Sequence, residues 1–317
     1  MKFYFAPMEG ITGSIYRNAH HDYFPDHIEK YFSPFIVAKH NQSLRTREIN
    51  DILPENNHVA LVPQILTNKV EDFIRTSRLI KELGYQEINL NLGCPSGTVV
   101  SKNMGAGFLA KPEALDSFLQ EIFDASVTQI SIKTRIGKDN SEEFYELIEL
   151  FNKYPITELI IHPRVQKDFY KNKPNLDMFR EAIRLSKNPL CYNGNIFTAE
   201  DYHNICEVFP EVDRIMLGRG LLANPGLLGY LLGQNDTEKA RIKEFHDRVY
   251  QDYQKVLFGD KNVLFKMKEL WYYMIMPFSN HEKYAKRIRK AERLSDYEKA
   301  VDSLFLEQEY TVRQISF

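Results

Sequence analysis

The sequence has no apolar run long enough to cross a bilayer, and its first residues, Met1 to Pro7, lack the long apolar segment of a secretory signal. Cysteine is scarce. The three cysteines, Cys94, Cys191 and Cys206, are widely spaced and form no C-x-x-C pair. This argues against a disulfide framework and a thiolate zinc site, and fits a reducing compartment. We therefore expect a cytoplasmic protein without a membrane anchor.

Other absences narrow the class of protein further. The formal net charge of −2 gives no overall sign of nucleic-acid binding, although an average can hide a local patch. His20 and His21 have no third ligand at metal-binding spacing, so no metal site is predicted. Low-complexity tracts are also absent. Of the 317 residues, 43% are hydrophobic, which is ample for a sizeable core.

What the sequence does have is a regular alternation of strand-like and helix-like segments. Eight strand-like runs over about 230 residues match the size and rhythm of a TIM (β/α)8 barrel. A doubly wound sheet is the alternative, but no G-x-G-x-x-G follows the first run. The predicted strands are Phe3–Ala6, Lys30–Phe35, Val59–Leu66, Glu87–Leu92, Gln129–Thr134, Glu158–His162, Leu190–Asn193 and Arg214–Gly218.

Two of the intervening helices have clear limits. Apolar residues at helical spacing predict a helix over Asn68–Leu83, with Asn68 as its N-cap and Gly84 at the position after its C-cap. A second helix is predicted over Ser141–Tyr154, with acidic residues in its first turn, where the helix dipole favours them.

The strand rhythm stops near residue 240, which predicts a barrel catalytic domain over residues 1–239 and a small helical domain over residues 240–317. Two apolar helical stripes support this division. They consist of Ile242, Phe245, Val249, Tyr253 and Val256, and of Val263, Met267, Leu270 and Met274.

The helical region is locally basic. From Arg241 to Phe317 it has fifteen Lys and Arg against twelve Asp and Glu. A cationic helix face with interleaved aromatic residues suits phosphates and exposed bases, so this region is predicted to bind RNA; a solvated basic helix is the alternative. The residues concerned are Lys283, Lys286, Arg287, Arg289, Lys290 and Arg293, with Tyr284, Trp271, Tyr272 and Tyr273 nearby.

Polar residues or glycines lie at the ends of the last six predicted strands, where barrel active sites are assembled. After the fourth strand, Gly93-Cys94-Pro95 leads into a glycine-rich polar segment typical of a loop that closes over a ligand. A lone thiol is also compatible with a small buried side chain. The strand-end residues are Gln64, Asn91, Cys94, Lys133, His162, Asn193, Gly194, Gly218 and Arg219.

The segments after the last two strands combine glycine with a donor, in Asn193-Gly194-Asn195 and Gly218-Arg219-Gly220. Because these loops often hold phosphate in TIM barrels, they predict a phosphorylated cofactor. Two tight turns that merely need glycine are the alternative.

Taken in order, the motifs of the chain resemble those of the tRNA-dihydrouridine synthases, and the resemblance covers essentially the whole sequence. It implies a TIM barrel that holds FMN, a C-terminal helical domain that grips tRNA, and NADPH as electron donor. A monomer is expected. The motifs are APMEGITGSIYR, NLGCPSGTVVSKNMGAG, IKTRIG, HPR, NGNI and GRGLLANP.

The resemblance also implies roles for individual residues. Cys94 matches the proton donor, and Asn91 matches a residue beside the substrate base. Two departures, Asn195 in place of a common aspartate and Pro163 within the HPR motif, concern the phosphate end. Cofactor contacts are implied for Ala6, Pro7, Met8, Gln64, Lys133, His162, Asn193, Gly194, Asn195, Gly218 and Arg219, and a tRNA contact for Arg17. The positions of the basic residues, rather than the resemblance, predict further tRNA contacts for Lys102, Lys286, Arg287, Arg289 and Lys290.

The chemistry agrees with these roles. Saturating the C5–C6 bond of uracil requires a hydride at C6, which reduced FMN can supply, and a proton at C5, which a thiol such as that of Cys94 can supply. Two other functions are considered: an FMN barrel oxidoreductase for a free small molecule, and a tRNA-binding protein without catalysis.

Overall fold

The computed structural model describes residues 1–25, 27–38, 45–234 and 238–312. Within these ranges, eight strands close into a barrel in sequence order, with parallel pairing along the barrel wall. This confirms the predicted TIM barrel and excludes the doubly wound sheet. The strands are β1 (Lys2–Phe5), β2 (Ile28–Val37), β3 (Leu61–Leu66), β4 (Glu87–Leu92), β5 (Gln129–Arg135), β6 (Leu159–His162), β7 (Leu190–Tyr192) and β8 (Arg214–Leu217).

Helices separate most of the strands and form the C-terminal region. They are α1 (Ser14–Tyr23), α2 (Thr46–Ile52), α3 (Val70–Glu82), α4 (Gly97–Val100), α5 (Pro112–Ala125), α6 (Glu143–Phe151), α7 (Leu176–Leu185), α8 (Ala199–Val208), α9 (Arg219–Ala223), α10 (Leu227–Leu231), α11 (Lys239–Val256), α12 (Asp260–Met274), α13 (His281–Lys290) and α14 (Leu294–Glu307). Short 3-10 turns occur at Pro54–Asn56, Gly105–Ala110 and Gln166–Asp168.

Helix α3 tests the predicted helix limits. Gly84 follows it with φ of +99°, as predicted for the residue after the C-cap. The N-cap prediction is wrong: the helix begins at Val70, and the Asn68 amide instead donates to the carbonyl oxygens of Lys102 and Asn103 at 3.0 and 3.1 Å. The Asn68 side chain, which the local sequence predicts as a helix cap, therefore forms a tertiary contact instead.

By internal packing the chain forms two compact units. The first comprises residues 1–7, 29–194 and 209–216, and the second residues 8–28, 195–208 and 217–317. The second unit thus contains α1 and α8 as well as the helices that follow residue 238. The boundary at residue 239, which separates a catalytic barrel from a tRNA-binding helical domain, stays a prediction.

In the first unit, a charged network lies at the N-terminal ends of the strands. Lys30, where β2 begins, contacts Glu87 at 2.7 Å and Glu158 at 3.3 Å, and Arg214 of β8 contacts Glu158 at 3.4 Å. Tyr4 donates its hydroxyl to Glu158 at 2.6 Å. These ion pairs lie near the N-terminal ends of the strands, whereas the ligands of TIM barrels bind at the C-terminal ends.

In the second unit, the two predicted apolar stripes pack as core with one exception. Val256 is 64% exposed because α11 ends at this residue. The buried members of the stripes are Ile242, Phe245, Val249, Tyr253, Val263, Met267, Leu270 and Met274.

Candidate active site

A chain of hydrogen bonds between polar side chains lies inside the barrel of the first unit. Gln64 of β3 is level with Asn89 of β4, which is level with Ser131 of β5. Gln64 Nε2 donates to Asn89 Oδ1 at 2.7 Å, and Asn89 Nδ2 donates to Ser131 Oγ at 2.9 Å. All three side chains are fully buried, so these bonds offset the cost of removing them from water.

Asn91 connects this chain to the segment that carries Cys94. Its Nδ2 donates to Gln64 Oε1 at 2.7 Å, and its Oδ1 accepts the backbone N–H groups of Gly93 and Cys94 at 3.0 and 2.9 Å. A backbone N–H can only donate, so Asn91 must turn its oxygen towards the segment and its nitrogen towards Gln64. The orientation of Gln64, and in turn that of Asn89, follows from this step. The backbone of Cys94 is thereby tied to the barrel wall.

The segment after Cys94 is more ordered than its composition predicts. The segment predicted as a loop contains α4 and a 3-10 turn, and residues 105–109 are buried. Ala106 donates its backbone N–H to the Cys94 carbonyl at 3.1 Å. Gly105 makes this possible, because a Cβ there would lie 2.8 Å from the Cys94 oxygen and its φ is +54°. The partly exposed Cys94 is therefore held on both sides.

Lys133 lies on β5, level with Asn91 and one layer nearer the barrel mouth than Ser131. Although its side chain is partly exposed, burial of the ammonium group and the nearby charge of Arg135 lower its pKa to about 8. Cys94 and Cys191 act in the opposite direction. An ammonium group in these surroundings favours a ligand that carries or develops negative charge.

The lowered pKa of Lys133 leads to a prediction about stability. A fall from 10.5 to about 8 corresponds to about 3 kcal/mol of cost in the charged form. Between these pH values the unfolded chain binds a proton that the ligand-free folded protein has lost, so the stability of the folded state rises with pH. We expect Lys133→Met to be more stable than the parent below pH 8, and this advantage to shrink by about 3 kcal/mol at pH 10.5.

Urea denaturation of the ligand-free proteins from pH 7 to pH 10.5 measures this difference. The exposed Lys187, changed to Met, is the control, and its difference from the parent should not vary with pH. A Lys133→Met difference that is constant across the range would show that the ammonium group is not desolvated.

Two buried arginines, which the sequence did not single out, organise the loops after β4 and β6. Arg135 donates to the carbonyl oxygens of Gly93, Val165 and Phe169 at 3.1, 2.8 and 2.9 Å. It therefore fixes the segment before Cys94 against the loop after β6.

The second of these arginines, Arg164, determines which ring nitrogen of a neutral His162 carries the proton. Its Nε donates to the Asn172 carbonyl at 2.6 Å, and its Nη1 lies 2.6 Å from His162 Nε2. A guanidinium has no acceptor, so Nε2 must accept and the proton of a neutral His162 lies on Nδ1. His162 thus presents an N–H from its other nitrogen.

The predicted residues after β7 have structural reasons of their own. Asn193 Nδ2 donates to the Met216 carbonyl at 2.8 Å. A Cβ on Gly194 would lie 1.9 Å from the hydroxyl oxygen of Tyr192, so packing alone requires glycine there. The predicted approach of Gly194 to an anion stays a prediction.

In the second unit, Asn195 and Arg219 form a pair. Arg219 Nη2 donates to Asn195 Oδ1 at 2.7 Å, and the guanidinium lies 5.4 Å from the centroid of the Phe197 ring. Gly218 immediately precedes α9. Because the asparagine that replaces the common aspartate is neutral, it orients Arg219 without cancelling its charge.

The residues around β1 divide between the units. Ala6 packs in the barrel interior and Pro7 is partly buried. Met8 of the second unit donates its backbone N–H to Thr12 Oγ1 at 2.8 Å. Arg17 is fully buried and donates to the Thr12 carbonyl at 2.7 Å. This burial argues against the predicted tRNA contact of Arg17, since the side chain is not presented at the surface.

Helix α13 presents the predicted basic face, because Lys286, Arg287, Arg289 and Lys290 are all exposed. The predicted interleaving of aromatic residues is wrong for two members. Trp271 is buried and donates to the Tyr297 hydroxyl at 2.7 Å, and Tyr284 packs in the core, whereas Tyr272 is 68% exposed. Lys102 of the first unit is exposed.

No helix among the described residues is long and apolar enough to cross a membrane. Over the same ranges, His, Cys, Asp and Glu side chains nowhere come together in groups of three or more that could hold a metal ion.

Comparisons of the sequence with known proteins give one consistent result. A family model described as dihydrouridine synthase (Dus) matches residues 4–309. A Pseudomonas putida protein named tRNA-dihydrouridine(16) synthase is 28% identical over 256 residues, which cover 78% of this chain and 78% of that protein. A Staphylococcus aureus protein named probable tRNA-dihydrouridine synthase is 27% identical over 230 residues, or 70% of this chain and 69% of that protein.

Solved structures resemble the fold. Histamine dehydrogenase from Rhizobium sp. 4-9 matches with a TM-score of 0.56 and 12% identity, over 77% of this chain and 46% of that one. Morphinone reductase matches with a TM-score of 0.52 and 14% identity, over 75% of this chain and 87% of that one. At these identities the similarity concerns the barrel architecture alone.

Proposed function

The chain belongs to the dihydrouridine synthase family of FMN-dependent oxidoreductases, and from this premise we propose that it reduces the C5–C6 double bond of uridines in tRNA. The observation that carries the proposal is the placement of Cys94 and Lys133. Asn91 accepts a hydrogen bond from the backbone N–H of Cys94 and is level with Lys133 on the next strand. The Cys94 thiol interacts electrostatically with the Lys133 ammonium group.

The donor set fits FMN, an anionic and phosphorylated cofactor. Lys133 is a desolvated cation beside a second cation, Arg135. A bound cofactor that gains electron density would therefore reduce the free-energy cost of keeping Lys133 charged. His162 presents an N–H, and Arg219 keeps its charge beside a neutral amide. When bound, FMN would supply the hydride for uracil C6.

The resemblance to the family implies the roles of the remaining residues. Lys133 and Gln64 would bond the polar edge of the flavin ring, with Ala6, Pro7 and Met8 beside it. His162, Asn193, Gly194, Asn195, Gly218 and Arg219 would hold the ribityl chain and phosphate. NADPH is the proposed electron donor.

On the substrate side, Cys94 donates a proton from Sγ to C5 of the uracil, and Asn91 lies beside the base. Asn91 also fixes the backbone of Cys94, so it sets the position of the thiol as well. Lys102 and the basic face of α13 would contact the tRNA, and we propose a cytoplasmic location because the substrate is tRNA.

The proposal predicts a yellow protein with about one FMN per chain, because TIM barrels of this kind bind phosphorylated cofactors at the ends of strands seven and eight. Absorbance spectra of purified protein, and release and rebinding of FMN, measure this. A colourless protein that does not take up added FMN contradicts the cofactor assignment.

Mapping dihydrouridine by sequencing in tRNA from cells with and without this protein tests the activity itself. Loss of the modification at a defined position supports tRNA reduction. An unchanged map, with flavin bound, would favour a free small molecule as substrate.

A further inference from the structure

The loop after β6, residues 166–173 with the sequence QKDFYKNK, has surface chemistry that the proposed catalytic residues do not use. Lys167, Lys171 and Lys173 are exposed, and Phe169 is 43% exposed. We propose that this loop, the 166–173 loop, binds a tRNA nucleotide next to the uridine that is reduced, with a base stacked on Phe169 and phosphates on the lysines. This inference rests on the proposed function and extends it to a second RNA contact.

The backbone holds Phe169 in an unusual conformation. Its φ of 49° and ψ of −98° lie outside the regions that large side chains commonly adopt. Two hydrogen bonds maintain it: the Phe169 N–H donates to the Gln166 carbonyl at 3.1 Å, and Arg135 donates to the Phe169 carbonyl at 2.9 Å. Strained residues of this kind cluster at binding and catalytic sites, where the surrounding structure keeps them in place.

The same contacts attach the 166–173 loop to the catalytic segment. Gln166 Nε2 donates to the Pro95 carbonyl at 2.9 Å, one residue beyond Cys94. Arg135 joins the carbonyl of Phe169 to that of Gly93, one residue before Cys94. A nucleotide held on this loop would therefore lie close to the base that receives the proton from Cys94.

The charge of the loop selects a nucleic acid as the partner. Across the described parts of the chain, none of its three lysines forms an ion pair with a carboxylate. The one acidic residue, Asp168, is occupied within the loop, where it accepts the Val165 N–H at 3.1 Å and the Asn172 side-chain amide. Cations beside an exposed aromatic face match a phosphate chain with an unstacked base.

Substitutions at Phe169 separate stacking from structure. Phe169→Leu should weaken binding of unmodified tRNA about tenfold, whereas Phe169→Trp should keep the parental affinity, because stacking needs a flat ring. Phe169→Gly should also lose affinity, yet keep or raise the melting temperature, since glycine adopts positive φ readily. A residue with a merely structural role would not show this opposition.

Neutralising two lysines tests the phosphate contacts. Lys171→Gln with Lys173→Gln should lower the magnitude of the slope of log affinity against log salt by about 1.4 to 1.8, at about 0.7 to 0.9 per contact. The control is Lys153→Gln with Lys187→Gln, two exposed lysines elsewhere in the same unit. Fluorescence anisotropy with labelled tRNA at several salt concentrations measures both, and FMN content and flavin reduction by NADPH should stay parental.

The outcomes distinguish the two levels of the proposal. A parent protein that does not bind tRNA overturns the proposed function and this inference together. A parent that binds tRNA, with loop variants of parental affinity and salt slope, overturns the inference alone and leaves the loop to another partner.

Discussion

Replacing Cys94 with alanine is expected to lower the rate of uridine reduction by about 100- to 10,000-fold, the usual range for loss of a general acid. FMN content and tRNA affinity should remain parental. The two backbone hydrogen bonds that hold this residue, to Asn91 and Ala106, do not require its side chain, so alanine keeps the segment in place. The thiol is assigned to proton delivery alone.

Single-turnover formation of dihydrouridine, started from reduced enzyme and saturating tRNA, isolates this step from binding and from flavin reduction. Cys206→Ala, a change at a partly exposed cysteine on α8, is the matched control and should react at the parental rate. If Cys94→Ala reacts as fast as this control, another group delivers the proton.

The sequence sufficed for the barrel because its signal is local. Each strand alternates or buries its apolar residues over a few positions, and the observed strand ends differ from the predicted ones by at most two residues. Asn68 shows where local reasoning stops. Its side chain bonds to residues more than thirty positions away, which a capping pattern within four residues does not encode.

Within the candidate site, strand-end position predicted Gln64, Asn91, Lys133 and His162. The sequence reading missed Asn89, although its spacing of two from Asn91 places both on the same face of β4. Ser131 lies level with Asn89 on β5, and one polar residue inside an apolar strand does not by itself indicate which face of the strand is buried.

The buried Arg135 and Arg164 illustrate a different limit. Arginine is rarely buried. Here both side chains are buried because carbonyl oxygens of loops accept their hydrogen bonds, and the sequence does not specify the paths of those loops. Helical spacing did contain one overlooked signal: Trp271 lies four residues after the buried Met267, and Tyr284 four before the buried Ile288, so both belong to core stripes.

Neutralising Lys286, Arg287, Arg289 and Lys290 together on α13 is expected to weaken tRNA binding and flatten its salt dependence. If each contacts a phosphate, the slope of log affinity against log salt should fall by about 3, at about 0.7 to 0.9 per contact. Tyr284 and Ile288 anchor the opposite face of the helix in the core, so glutamine at the four exposed positions should leave the fold intact.

A second quadruple variant, in which Lys153, Lys187, Lys255 and Lys299 become glutamine, changes the net charge equally at exposed positions. Charges more than about 10 Å from the RNA are largely screened at ordinary salt, so this control should keep most of the parental affinity and slope. Flavin reduction by NADPH should continue in both variants. If the α13 variant instead matched the control, phosphate contacts would have to come from the first unit, from Lys102 and the 166–173 loop, and α13 would be a solvated face of the helical core.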